Sequence, residues 1–82
     1  MRENVSVVAL IEIRAEDVSC VRNELKKETY VRAFYELMGR YNIGIIAEVE
    51  NEKILFDVII EEIRTIPGVE ETRTHIMDGM VI

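Results

Sequence analysis

The sequence predicts an α+β fold: one four-stranded antiparallel sheet with two helices on one face. Three observations predict it. The hydrophobic period switches between alternation and helical spacing in the order strand, helix, strand, strand, helix, strand. Turn-forming residues, Gly39-Arg40-Tyr41-Asn42 and Ile66-Pro67-Gly68-Val69, fall where one element gives way to the next. The length of 82 residues suits a single domain, 1–82. With right-handed crossovers, the solution for this order is the split βαβ, ferredoxin-like βαββαβ sandwich.

Val5 to Arg14 (VSVVALIEIR) is rich in β-branched residues and alternates towards its end. It places Val7, Ala9, Ile11 and Ile13 on one face, with Ser6, Val8, Leu10, Glu12 and Arg14 on the other. From Glu16 to Lys27, Val18, Val21 and Leu25 recur at helical spacing; Asp17 is positioned to cap the start, and Lys26 and Lys27 suit the negative end of the dipole. Tyr30 to Met38 alternates again: Val31, Ala33, Tyr35 and Leu37 against Tyr30, Arg32, Phe34 and Glu36. Gly39 to Asn42 makes a short hairpin turn, since Gly39 and Asn42 both tolerate positive φ. The third strand is Ile43 to Val49. Asn51 caps a second helix that runs to about Thr65, with Phe56, Ile59, Ile60 and Ile63 as its apolar stripe. Pro67 and Gly68 stop it. Val69 to Met77 is the fourth strand, with Thr72 and Thr74 on one side. Asp78-Gly79 is a turn signal before the apolar tail Met80-Val81-Ile82.

Helices on one face leave the other sheet face open. Val8, Leu10, Phe34 and Ile46 are expected to line it. An apolar patch of that kind marks an interface, and sheet-on-sheet pairing into a homodimer is its simplest cover. A chain of this size also has a thin core of its own, so burial against a second copy helps.

Charge and composition exclude several classes. Sixteen acidic residues against 10 basic ones give a net charge of −6, which disfavours direct contact with nucleic acid. No run reaches the roughly 18 apolar residues of a membrane span, and no secretory signal opens the chain, so a cytoplasmic protein is expected. The single cysteine, Cys20, excludes an internal disulfide and reads as packing. His75, the single histidine, stands on an edge strand without companion metal ligands. Glu61-Glu62 and Glu70-Glu71 read as solvated faces. No activated nucleophile, phosphate loop, catalytic residue, metal site or cofactor site emerges.

Three stretches resemble the ligand-binding half of the Lrp/AsnC transcription regulators, the RAM domain (regulation of amino acid metabolism). They are the opening VALIEI; the hairpin Gly39-Arg40-Tyr41-Asn42-Ile43, similar to the family's Gly-x-Tyr-Asp-hydrophobic loop; and Ile66 to Thr74, similar to its Gly-Val-x-x-Thr-x-Thr close. They occur in the family's order across nearly the whole chain. The family's usual members carry a helix-turn-helix ahead of this domain. Met1 precedes the first strand by only a few residues, so a stand-alone form without the DNA reader is expected.

The resemblance implies a protein that binds amino acids or related small effectors in crevices between subunits. It implies dimers formed through the sheets and higher rings such as octamers. Carried over by position, Gly39, Arg40, Tyr41 and Asn42 meet the effector's polar head, and Thr72 and Thr74 line the site from the last strand. Gly39 lets backbone amides approach a carboxylate, Arg40 offers it a charge-assisted contact, and Tyr41 supplies an aromatic wall and a hydroxyl. Asn42 departs from the family's Asp: it keeps the acceptor oxygen and loses the charge that would face an α-ammonium group. The function implied is regulatory and not enzymatic, exerted through mixed assembly with full-length Lrp/AsnC regulators. Two alternatives share the architecture: a small dimeric ferredoxin-like enzyme of oxygenase or isomerase type, and a purely structural assembly partner. The ACT domain has the same element order, but its effector loop after the first strand is glycine-rich, and Ile13-Arg14-Ala15-Glu16 is not.

Overall fold

The structure, a computed structural model, describes residues 6–77. Its elements are β1 (Val7–Ala15), α1 (Val18–Leu25), β2 (Val31–Glu36), β3 (Ile43–Val49), α2 (residues 52–64) and β4 (Val69–Met77). The strands form one antiparallel sheet in the order β2-β3-β1-β4, the ferredoxin-like arrangement the alternation predicts. The Asp78-Gly79 turn, the Met80–Ile82 tail and the first residue of the expected first strand lie outside the described residues.

The core lies between the sheet and the two helices. Ile11 and Ile13 from β1, Ile43 and Ile45 from β3, Val21 and Leu25 from α1, and Leu55 and Ile63 from α2 are sealed from solvent. Each fully buried aliphatic side chain contributes about 1.5–3 kcal/mol. Asp17 caps α1, its Oδ1 accepting from the backbone N–H groups of Ser19 at 3.0 Å and Cys20 at 3.3 Å. Asn51 caps α2 in the same way through the N–H of Ile54 at 2.8 Å. Gly68 takes φ +89 after the helix, and its carbonyl accepts from the Glu16 N–H at 2.8 Å, tying the end of α2 to the start of α1.

Two departures from the expected pattern change which residues face where. In β2, Val31 pairs with Ala47 but Ala33 pairs with Ile46, so one extra residue is bulged into the strand. The bulge reverses the phase of the alternation. Tyr30, Val31 and Phe34 all pack against the helix-side core, and the guanidinium of Arg22 on α1 stands 5.7 Å from the centroid of the Phe34 ring. Phe34, expected on the open face, therefore lies on the opposite one.

In α2, a regular turn (Glu52–Ile54) leads into a wider π turn (Leu55–Ile59) and back to α-helix (Ile60–Arg64). The wide turn takes one residue more than an α turn. Leu55 consequently occupies the inward place expected of Phe56, and Phe56 is exposed. Ile59, Ile60 and Ile63 face the core as the spacing predicts.

Val8, Leu10 and Ile46 do stand on the open face, where Leu10 pairs with Ile46 on one side and His75 on the other. All three are only half-buried within one chain. Ala33 and Tyr35, registered against Ile46 and Gly44, take the place on β2 expected of Phe34. Among the described residues no helix is long and apolar enough to cross a membrane.

Candidate functional site

The hairpin between β2 and β3 closes with the Leu37 N–H donating to the Asn42 carbonyl at 2.9 Å. Gly39 sits at its tip with φ +128. A Cβ there would meet nothing within 4 Å, so backbone conformation and not space makes the position a glycine. Arg40 is exposed, whereas Tyr41 folds inward and is 8% exposed.

Asn42 does not use positive φ. Its side chain instead forms a paired clamp on the end of β1: Oδ1 accepts from the Ala15 N–H at 2.9 Å, and Nδ2 donates to the Ala15 carbonyl at 2.8 Å. Its backbone N–H reaches the Ile13 carbonyl at 3.1 Å. The clamp prolongs the pairing of β3 with β1 across the point where β1 bulges between Arg14 and Ala15. Thus the oxygen expected to face an effector's ammonium group is engaged by the chain itself.

Tyr41 and Arg40 meet the last strand on the open side of the sheet. The Tyr41 hydroxyl donates to Glu71 Oε2 at 2.8 Å, and Arg40 Nη2 donates to Glu71 Oε1 at 2.9 Å. Arg14 Nη1 approaches the same oxygen at 4.0 Å, and its Nε pairs with Glu70 at 3.1 Å. The guanidinium of Arg73 lies over the Tyr41 ring, 4.7 Å from its centroid. Arg73 also donates through Nε to Glu12 Oε1 at 3.0 Å, its Nη2 lies 3.0 Å from the same oxygen as an ion pair, and His75 Nε2 stands 2.9 Å from it. The Tyr41 hydrogen bond, with Arg40 and Arg14 beside it, holds the Glu71 carboxyl below the usual glutamate value. His75 and Arg73 do the same for Glu12.

This cluster is only partly legible in the sequence. Tyr41, Arg40 and Gly39 come together at the hairpin tip, as expected. Glu71, Arg73 and Glu12 escape the sequence reading, in which Glu71 belongs to a solvated face. Their signal is the alternation of β4 itself: Glu71, Arg73 and His75 share one side, registered against Arg14, Glu12 and Leu10 of β1. Thr72 and Thr74 share the other side, registered against Ile13 and Ile11, and are half-buried on the helix side. One chain therefore presents the hairpin cluster and the two threonines on opposite faces of β4.

Among the described residues no group of three or more His, Cys, Asp or Glu side chains is arranged to hold a metal ion. Cys20 Sγ lies 3.9 Å from the Pro67 carbonyl, a packing contact between α1 and the end of α2.

Comparison with solved structures finds the same architecture. A protein from Thermus thermophilus, TTHA0845, matches with a TM-score of 0.82 and 22% identity, over 93% of this chain and 98% of that one. The feast or famine regulatory protein of M. tuberculosis complexed with L-methionine matches with a TM-score of 0.78 and 23% identity, over 93% of this chain and 52% of that one. E. coli AsnC matches with a TM-score of 0.77 and 25% identity, over 100% of this chain and 62% of that one. The chain thus corresponds to nearly all of the Thermus protein and to little more than half of the two regulators. No curated protein matches the sequence. The sequence model of the Lrp/AsnC ligand binding domain matches residues 6–78, so the chain belongs to the Lrp/AsnC ligand-binding domain family.

Proposed function

We propose that this protein is a regulatory module that binds an amino acid or related small metabolite at a seam between copies of itself. It works as a homodimer joined through the open sheet face and able to build larger rings such as octamers. Membership of a ligand-binding family over residues 6–78 carries the reading. The M. tuberculosis relative holds L-methionine, which supports an amino acid as the effector class. The division of the expected contacts supports a seam: Arg40 and Tyr41 lie on one side of β4, Thr72 and Thr74 on the other. A ligand touching both sets needs the hairpin of one copy and the last strand of another. The module acts without touching DNA, joining full-length regulators of the same family in mixed assemblies, and it carries out no catalysis.

A thermal-shift and calorimetric screen of the proteinogenic amino acids, on material whose oligomeric mass has been measured, tests the reading. Saturable binding of one or a few of them is expected. A folded oligomer that answers to none of them at millimolar concentration removes sensing from the proposal.

One observation favours a second reading, a purely structural assembly partner. The Asn42 side chain is engaged by Ala15, and those of Arg40 and Tyr41 by Glu71. Recovery of a helix-turn-helix regulator in a pull-down that no amino acid changes would favour it.

A further inference from the structure

We propose that Glu71 is an internal occupant of the Arg40–Tyr41 pair, a carboxylate of the chain itself that excludes a simple external carboxylate and selects ligands carrying a cationic nitrogen beside their anionic group. The inference rests on the proposed use of the hairpin as a ligand site and names what that site will take.

The two groups suited to an effector's carboxylate are the Arg40 guanidinium and the Tyr41 hydroxyl. Both already hold a carboxylate, one on each oxygen of Glu71, at 2.9 and 2.8 Å. Glu71 arrives there by register. Its partner across the sheet is Arg14, which places it on the hairpin side of β4 and brings a second cationic group to its rim. The Tyr41 ring is buried beneath the Arg73 guanidinium, which holds its hydroxyl oxygen beside Glu71.

An external carboxylate reaching Arg40 must displace Glu71, and the displaced charge then stands beside the newcomer. A bare anion takes Arg40 from Glu71 and meets its repulsion. A ligand with an ammonium group next to its carboxylate answers both charges: the carboxylate goes to Arg40 and the ammonium goes to Glu71. One ion pair becomes two. Asn42, clamped to Ala15, does not offer its Oδ1 to that ammonium group. The Arg40–Glu71 pair is open to solvent, with Arg40 64% and Glu71 36% exposed, so it is exchangeable and not locked.

The test titrates the intact oligomer with acetate and separately with L-alanine at constant ionic strength, following the Arg40 side-chain N–H and the Gly39–Asn42 amides by NMR. Wild type is compared with Glu71→Gln, which keeps an acceptor for Tyr41 and removes the charge. Glu71→Gln should strengthen acetate binding about fivefold, the scale of what an exposed pair withholds, and should weaken or abolish the preference for alanine over acetate. Tyr41→Phe, which releases one of the two contacts on Glu71, should give an intermediate acetate affinity and supplies the answer if Glu71→Gln does not fold. Acetate bound equally by wild type and variants, or by none of them, overturns the proposal. If acetate responds as expected while neither acetate-responsive protein takes alanine, Glu71 is the occupant and the amino-acid reading is what fails.

Discussion

At the scale of single residues, Asn42 is a fastener. The Ala15 N–H needs an acceptor and the Ala15 carbonyl needs a donor, and one amide side chain supplies both. A carboxylate supplies only acceptors, so Asn42→Asp would set an anion against the Ala15 carbonyl. It should cost about 1–3 kcal/mol, measured by urea denaturation, because a part-buried acceptor loses its donor. An unchanged midpoint would show that the clamp is idle. This role is invisible in the sequence. Asn is common in turns, and nothing local reveals a partner 27 residues away. Glu71 and Glu12 make a second expectation at this scale. Both carboxyls titrate below the ordinary value of 4.5 in the folded protein. The folded state therefore binds these protons less readily than the unfolded chain. The stability they lend is present above 4.5 and is lost as pH falls through the lowered folded values. Melting temperature should accordingly drop as pH falls from about 5 towards 3. The drop should be shallower in Tyr41→Phe, which removes the largest cause of the Glu71 shift.

At the scale of elements, each of the two departures comes from one inserted residue. Alternation and helical spacing made all six elements legible, along with both N-caps and the stop at Gly68, because those signals are local and periodic. An insertion is different, since it leaves the composition intact and only shifts phase. In β2 it exchanged the faces of Phe34 and Ala33. In α2 it is visible afterwards in the spacing of the buried residues: Leu55, Ile59, Ile60 and Ile63 stand at i, i+4, i+5 and i+8, and removing one residue between Leu55 and Ile59 turns this into the narrower i, i+3, i+4, i+7 stripe. Asp57 is the charged residue of that turn, exposed like Phe56 and Val58 beside it, and pairs with Lys53 at 2.8 Å, a surface contact of small worth. Deleting Asp57 brings the four apolar positions onto one α-helical stripe. The deletion should keep the helical circular-dichroism signal and cost less than Leu55→Ala, which empties a fully buried position for about 2–5 kcal/mol. A deletion more damaging than the truncation would mean that the wide turn is required for the fold.

At the scale of the whole molecule, the question is what the sheet does with its second face. One end of that face carries the ionic cluster of Glu12, Glu71, Arg73 and Arg40. The other end carries Glu48, bound by Arg32 at 3.4 Å and by the Ser6 hydroxyl at 2.8 Å. Between them run Val8, Leu10, Ala33, Tyr35 and Ile46, an apolar band bordered by charge, which is how an interface core meets its polar rim. Leu10 lies at the middle of that band, between Ile46 and His75. If two copies close over it, Leu10→Asp places an unpaired charge inside a dry contact, and gel filtration should show the mass falling to that of one chain. Phe34 supplies the control because it sits on the helix side under Arg22. Phe34→Ala should lower stability by about 2–3 kcal/mol through lost packing and leave the oligomeric mass unchanged. The two substitutions thus separate the faces of one sheet: one should break assembly and spare the fold, the other should weaken the fold and spare assembly. A Leu10→Asp protein that elutes with wild-type mass would place the contact between copies somewhere other than this face.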